Sequence, residues 1–556
     1  MKNKAKTITV LTLLALSLSA CNLSFLQKFT NKDSSESSES SSIHLSSESS
    51  SSSSELSSSQ SESSSESSES QSSETPKPTG KTTIEIYATN DIHGAVMEEY
   101  DRMGISKLGT YLKGKKENPN TLLLDQGDTW QGSIYSNYNH GGLITDVMNY
   151  IHYDARSVGN HDFDWGLEYI ENNTKRSFDG YSVPVLAGNV YDFNFDTKEI
   201  GDTQQSQLGT SSVTYVLDNG VKVGILGGIG DTQITSINSI FTTDITFINH
   251  INFIKNEANY LRNVEKCDVV IASIHTGQEE VLHNNLANYV DLVLCGHTHR
   301  QEYTMEDGVC FVQSKAYSQS MGHITLTYDY DLGEVTKTSL EYITASTVKN
   351  AVSTIDPVIQ EIVNTYNTEC DSEANQVVAS HVTGSFYSSE ELPNLMCRAI
   401  LETCIAEGID DVFLSYTNNA RASLYNTSWT YADLYQAFPF DNMIFIMNIT
   451  GEELLREIAS YNFICRNSAF TENEIDPNGT YKIAAIDYLC FHTNEERYYD
   501  YFPVSGGTYE TYLDNNYRVV LKNWLSNNGY GNEKVLVSGN FSSSVWEHDR
   551  TVFTQA

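Results

Sequence analysis

Basic residues are scarce in this chain. Its 556 residues hold 34 Lys and Arg against 72 Asp and Glu, a formal net charge of −38 at pH 7. Five of the basic residues fall in residues 1–32 and nine of the acidic ones in 33–74. Residues 75–556 therefore carry 29 basic and 63 acidic residues, a net of −34. A body so acidic repels long polyanions and has no basic footprint for nucleic acid. Polymeric nucleic acid is excluded as a partner on that ground. Small anions stay open wherever bound cations reverse the local field. Cysteine motifs are missing as well: the nine Cys show no C-x-x-C and no His-paired spacing, which removes the common zinc and redox signatures. Cys267 and Cys295 border or enter apolar runs and are expected in the core, and disulfides remain open in an exported chain. Past the N-terminus no apolar stretch is long enough to read as a membrane span.

The N-terminus itself has the layout of an export signal. MKNKAK is basic, ITVLTLLALSL is apolar, and LSAC ends at Cys21. LSAC resembles a bacterial lipobox, which implies cleavage before Cys21 and a lipid on its thiol. The expectation is a signal peptide at 1–21 and a cell-surface lipoprotein on the outer face of the cytoplasmic membrane, held there only by that anchor. From Asp33 to Glu74 the chain is almost all Ser and Glu. Such a composition cannot bury enough surface to offset its ordering entropy, so 22–82 is expected to be a disordered linker. As a flexible coil it would reach about 45 Å root-mean-square.

Beyond the linker, polar clusters come after apolar strands five times. TIEIYATN at 83–90 precedes DIHG. NTLLL at 120–124 precedes DQGDTWQGS. DARSV at 154–158 precedes GNHDFDWG. DVVIAS at 268–273 precedes IHTG, and DLVLC at 291–295 precedes GHTHR. Between them, GGLITDVMNYI and INHINFIKNEANYLRNV have helical spacing. This alternation predicts an α/β fold in which the strand ends share one edge. Asp91, His93, Asp128, Asn160, His275, His297 and His299 would then converge. Seven oxygen and nitrogen ligands without sulfur exceed one tetrahedral site and suit two divalent cations. A shared carboxylate would hold the ions ~3.5–4 Å apart. Such a pair lowers the pKa of a water towards ~7. Asp162 reads as a turn or capping residue, and Trp130 and Trp165 as packing residues.

D-x-H-G, G-D-x-x-x-G, G-N-H-x-x-D, a later His and G-H-T-H together resemble the calcineurin-like metallophosphoesterase domain. With its C-terminal part included, the chain is similar to the bacterial 5′-nucleotidase family over roughly 83–556. The resemblance implies a four-layer αββα sandwich followed by a second mixed α/β substrate-binding domain. It implies a catalytic domain at 83–345, an interdomain linker helix at 346–376 and a substrate domain at 377–556. By motif, Asp91, His93 and His299 hold one metal, Asn160, His275 and His297 the other, and Asp128 bridges them. His161 and Asp164 are the catalytic pair. Such an oxygen and nitrogen ligand set accepts Mn, Zn, Co or Fe without choosing among them. In DVFLSYTNNARASL the resemblance assigns Arg421 to the substrate phosphate, with Asn419 beside it. In YADLYQAFPFDN it assigns Phe440 to stacking on the nucleobase, and Tyr499 is the candidate second ring.

The departures bear on substrate. Family members carry Asn-Gly-Gly-Gly-Ile-Arg where this chain has Tyr416-Thr-Asn-Asn-Ala-Arg421. SSEELPNL at 388–395 lacks the Arg that precedes Gly-Asn-Leu, and the Gly-Gly-Asp-Gly-aromatic segment is replaced by HTNEERYYDYF at 492–502. Gly permits close backbone approach to a ligand, and its loss restricts that. The expected activity is removal of phosphate from extracellular nucleotides, 5′-nucleotidase-like. The alternatives are a 2′,3′-cyclic nucleotide phosphodiesterase with 3′-nucleotidase activity, a nucleotide-sugar (UDP-sugar) hydrolase, or a surface binding module on a phosphatase scaffold.

Overall fold

The computed structural model describes residues 78–545 apart from 195–196, 198, 206, 239–240, 460–462, 472–473 and 491–507, together with 554–555. Cys21, the signal peptide, nearly all of the linker, and Tyr499 lie outside the described residues. Two six-stranded sheets dominate the first half. The first opens with parallel strands β1 (Lys81–Thr89), β2 (Thr121–Asp125), β3 (Ala155–Ser157) and β4 (Val185–Leu186). The second is built from β5 (Ser212–Val216), β6 (Lys222–Ile229), β7 (Val269–His275), β8 (Leu292–Leu294), β9 (Glu302–Glu306) and β10 (Val309–Gln313), while the strands Val190–Asn194, Glu199–Gln204 and Ile245–Phe247 form a small sheet of their own. Two antiparallel strands, β11 (Ser320–Asp329) and β12 (Glu334–Thr344), return to the first. The orders are β12-β11-β1-β2-β3-β4 and β9-β10-β8-β7-β6-β5.

These strands read as continuous apolar runs because both of their faces are buried. The alternation is still visible in where each side chain goes. Ile84, Ile86, Leu122 and Leu124 meet Val223, Ile225, Val269, Ile271, Leu292 and Leu294 between the sheets. Tyr87 and Leu123 point the other way, towards helices α1 (Ile105–Lys115) and α2 (Gly142–Tyr150). Leu226, Val270, Ala272 and Val293 face α3 (His250–Asn263), whose Phe253, Ile254, Ala258 and Leu261 form one stripe. The result is helix, sheet, sheet, helix. The sequence pattern places the five strand ends on a single sheet edge. They are in fact divided between two stacked sheets whose edges coincide, clamped where Ser157 Oγ donates to the Ser273 carbonyl at 2.7 Å.

The segment expected to be one linker helix is two. A short helix, Ala345–Ala351, ends before Asp356, and α4 (Pro357–Ala374) starts anew. The break follows from local chemistry: Asp356 accepts from the amides of Val358 and Ile359, and Pro357 occupies the first turn, where its missing N–H costs nothing. Ile359, Ile362 and Val363 of α4 pack into the core beneath the first sheet, while Ala374 belongs to the core of the second half. Asp356 also pairs with Lys113 at 2.8 Å. Asp356→Ala is expected to cost about 1–2 kcal/mol, read as a lower denaturant midpoint at unchanged slope.

The second half has its own five-stranded sheet: β13 (Leu414–Thr417), β14 (Met443–Thr450), β15 (Phe463–Arg466), β16 (Thr480–Ile486) and β17 (Thr508–Asn516), in the order β15-β13-β16-β14-β17. Helices α5 (Glu391–Ala406) and α6 (Tyr517–Asn527) supply Leu392, Leu395, Met396, Ile400, Leu521 and Leu525 to its core. The eight cysteines among the described residues are all buried and free. No helix of the described residues is long and apolar enough to cross a membrane.

Asp487, just after β16, is buried, and burial pushes its carboxyl up to about 7; Asn238 from the first half hydrogen-bonds it and pulls the other way. The folded state thus holds this proton more tightly than the unfolded chain. Its contribution to stability is fully present below the unfolded carboxylate range and is lost as pH rises towards 7. Asp487→Asn is expected to lose less stability than the parent between pH 5 and 8, measured by denaturant titration at each pH.

Candidate metal centre

Each ligand loop starts where a strand stops. Thr89, Asp125 and Arg156 stand in register across β1, β2 and β3, so the loops after them leave the sheet at one level. The turn is sharp. Asp91, His93, Asp128, His297 and His299 all have left-handed backbone, with φ of 49°, 48°, 52°, 76° and 62°. That conformation is uncommon in any residue but Gly and clusters at functional sites. The glycines between them answer a different need. A Cβ on Gly159 would lie 2.3 Å from the Asp128 amide nitrogen, and one on Gly132 would lie 2.1 Å from the His93 carbonyl oxygen. G-D-x-x-x-G and G-N-H are therefore backbone-on-backbone contacts first.

The seven expected ligands come together in two groups. Asp91, His93 and His299 form one, and Asp128, His275 and His297 another, the candidate ligand atoms of each lying within 4.8 Å of one another. Asn160 Oδ1 joins the second, 3.1 Å from His275 Nε2 and 2.9 Å from His297 Nδ1. Asp128 Oδ2 stands between the groups, 3.2 Å from His275 Nε2 and 3.7 Å from His93 Nε2. Neighbours aim the ligands. His93 Nδ1 donates to the Gln131 carbonyl at 3.0 Å and His275 Nδ1 to the Gln126 carbonyl at 2.7 Å. Each bond leaves Nε2 as the inward atom, the usual outer support of a metal-bound imidazole. Asn90 Nδ2 donates to Asp91 Oδ2 at 2.6 Å, and the His297 backbone N–H to both Asp91 oxygens at 3.0 Å.

This donor set fits a pair of divalent cations. The inward atoms are acceptors facing acceptors: His93 Nε2 lies 3.0 Å from His299 Nε2, and buried Asp128 Oδ2 has no aligned donor. The electrostatics agree. Burial pushes the Asp91 carboxyl up to about 7. Burial also lowers His93, and brings His297 and His299 down to about 4, keeping them in the neutral form that ligates. Burial works against the Asp128 charge, yet the His275, His161 and His93 imidazoles hold it well below the usual carboxylate range. His275 is raised by the Asp128 and Asp91 charges against its own burial. Cationic charge is what this cluster of acids requires.

His161 stands beside this cluster without pointing into either group. Its backbone N–H donates to Asp128 Oδ1 at 2.7 Å, and its Nδ1 meets Asp164 Oδ2 at 2.9 Å. Burial would lower its pKa, but the Asp164 and Asp128 charges raise it. Arg421 is exposed, and its Nη2 lies 3.2 Å from His161 Nε2. Phe440 stacks on the His161 ring, centroids 5.2 Å apart and planes at 27°. Asn419 is exposed in the Arg421 loop. Asp162 accepts from the Gly159 and Thr129 amides and pairs with buried Arg156 at 2.6 Å, holding the turn. Trp130 is fully buried and Trp165 nearly so. Tyr317 was not signalled by sequence; it packs 5.3 Å from His93 and 5.4 Å from His299. Asn90 had one signal, its place directly before Asp91.

The calcineurin-like phosphoesterase profile matches residues 84–301. A 5′-nucleotidase of Rattus norvegicus is 24% identical over 519 residues, covering 82% of this chain and 84% of its own. An apyrase of Tabanus yao is 24% identical over 420 residues, 67% of this chain and 72% of its own. The crystal structure of a 5′-nucleotidase precursor from Thermus thermophilus superposes with a TM-score of 0.66 at 18% identity, covering 82% of this chain and 99% of that one, and shares the two-part fold. Residues 84–301 are therefore a calcineurin-like phosphoesterase domain, and the chain that carries it is a hydrolytic enzyme homologous to 5′-nucleotidases over most of its length.

Proposed function

We propose that this enzyme removes the terminal phosphate from 5′-nucleotides outside the cell, with residues 83–345 catalytic and 377–556 gripping the substrate. The observation that carries the reading is the gathering of the other six candidate ligand side chains about Asp128, with the His161–Asp164 pair at their edge. Asp91, His93 and His299 would hold one divalent cation, Asn160, His275 and His297 the second, and Asp128 both. When bound, such a pair neutralises the phosphoryl oxygens and lowers the pKa of a water towards ~7.

The chain's own groups do the rest. Asp164 holds His161 by Nδ1 and favours its charged form, so Nε2 presents a proton to the departing ester oxygen. Arg421 Nη2 and His161 Nε2 are 3.2 Å apart, so one anionic oxygen set against both would receive two donors. Phe440 offers an aromatic face beside them, and stacking on it would be tolerant of base identity. A diester is the second reading. Arg421 contacts the catalytic imidazole, whereas the 388–395 segment brings no arginine, and a thin cationic clamp suits the lower charge of a diester.

The test strips the purified protein of metal, restores Mn²⁺ or Zn²⁺, and assays AMP, UDP-glucose, 2′,3′-cyclic AMP and bis(p-nitrophenyl) phosphate. AMP hydrolysis restored by metal is expected; turnover of the diesters alone would replace the monoesterase reading. Export rests on the LSAC segment. Cys21→Ser is expected to abolish labelling by a radioactive fatty acid, and labelling that persists would remove the lipoprotein proposal.

A further inference from the structure

Nothing in the spacing of the chain singles out Arg518, in the first turn of α6. It is fully buried, at 0% exposure. Buried arginines are rare unless paired, and this one makes an unusual set of contacts. Its Nη1 donates to two carbonyl oxygens, those of Phe438 and Phe440, each at 2.7 Å. Its Nη2 pairs with Asp441 Oδ1. Its guanidinium lies 3.4 Å over the Tyr435 ring. Each of these contacts therefore goes to the FPFDN segment at 438–442 or to the helix just before it.

The neighbours of Arg518 hold the same segment. Asn516 Nδ2 reaches Asp441 Oδ1 at 3.2 Å, and the Tyr517 amide reaches the Asn442 carbonyl at 2.9 Å. From the phosphoesterase domain, Asn137 Nδ2 donates to the Pro439 carbonyl at 2.9 Å and Trp165 Nε1 to Asp441 Oδ2 at 3.3 Å. The carbonyls of residues 438, 439, 440 and 442 thus each have a donor from elsewhere in the chain. At the centre of the segment is Phe440, only partly buried, whose ring carries the His161 imidazole at 5.2 Å and the Arg421 guanidinium at 5.2 Å. Those two groups belong to the proposed mechanism and do not ligate metal.

We propose that Arg518 is a positioning residue: by forking the Phe438 and Phe440 carbonyls it fixes the height and tilt of the Phe440 ring, and through that ring the His161–Arg421 pair. The inference rests on the reading of His161 and Arg421 as active-site groups. A planar guanidinium can take two carbonyls and a carboxylate at once, which an ammonium cannot do in the same plane. Arg518→Lys keeps the charge facing Asp441 and loses the fork.

The test is a double-mutant cycle in the full-length protein, using the ester turned over fastest in the substrate panel. Arg518→Lys is expected to lower kcat by about tenfold with bound metal unchanged, since small misplacements of catalytic groups are costly. In a Phe440→Ala background the same substitution is expected to lower kcat by less than about twofold, because the coupled partner is gone. Equal losses in both backgrounds, or no loss in either, would overturn the inference. Should Arg518→Lys fail to fold, Asp441→Asn weakens the same tether isosterically and is read in the same two backgrounds. If Phe440→Ala itself leaves kcat unchanged, the ring positions nothing and the inference falls; failure of the active-site reading is seen separately, as a His161→Ala variant that keeps the parental kcat.

Discussion

His161→Ala is expected to retain its fold and its metal content while turnover falls by about 10²–10⁴-fold, the usual worth of a placed general acid. The separation follows from which atoms are removed. His161 supports the candidate ligand Asp128 through its backbone N–H, which donates to Asp128 Oδ1 at 2.7 Å. Alanine keeps that bond. What it loses is the imidazole between Asp164 Oδ2, 2.9 Å from Nδ1, and Arg421 Nη2, 3.2 Å from Nε2. Metal content by elemental analysis is expected to match the parent, with kcat reduced and KM little changed. Asp164→Asn tests the same pair from the other side: its loss is expected to be smaller, since the imidazole stays but its charged form is no longer favoured. An alanine variant at His161 that turned over at the parental rate would remove the acid role outright.

The gathering of the candidate ligands was legible in sequence because its logic is local. Each cluster sits directly after an apolar strand, and strand ends are where an α/β sheet presents its loops. Even the distribution of glycine was readable in retrospect, since Gly132 and Gly159 stand where a Cβ would strike His93 and Asp128. The stacking of two sheets was not carried by the strands themselves. Val223, Ile225 and Leu226 face different layers, yet all three read simply as apolar. The break at Val352–Asp356 was missed although Asp-Pro is a strong start signal, because apolar residues on both sides continue a helical spacing across it. Arg518 was invisible for a deeper reason. Its partners are backbone carbonyls nearly eighty residues away, and a carbonyl has the same chemistry at every position. Only the folded chain distinguishes those two.

Asp128→Ala is the second substitution with a large expected effect, and it acts before chemistry. Asp128 is the one carboxylate placed between the two ligand groups, with Oδ2 3.2 Å from His275 Nε2 and 3.7 Å from His93 Nε2. Removing a hydrogen-bond partner outside a ligand costs about 10–100-fold in metal affinity; Asn90→Ala, which frees Asp91 Oδ2 from its 2.6 Å donor, is expected to do the same. Removing the shared ligand weakens both sites at once and is expected to exceed that range, with turnover lost in proportion. Thermal stability separates this from a damaged fold. A cation that binds only the native state stabilises it by about 2.7 kcal/mol at a hundredfold excess over Kd. Added Mn²⁺ is therefore expected to raise the Tm of the parent and of His161→Ala alike, and to leave that of Asp128→Ala where it stood. A parental protein whose Tm ignored Mn²⁺ and Zn²⁺ would mean that these seven side chains do not hold metal.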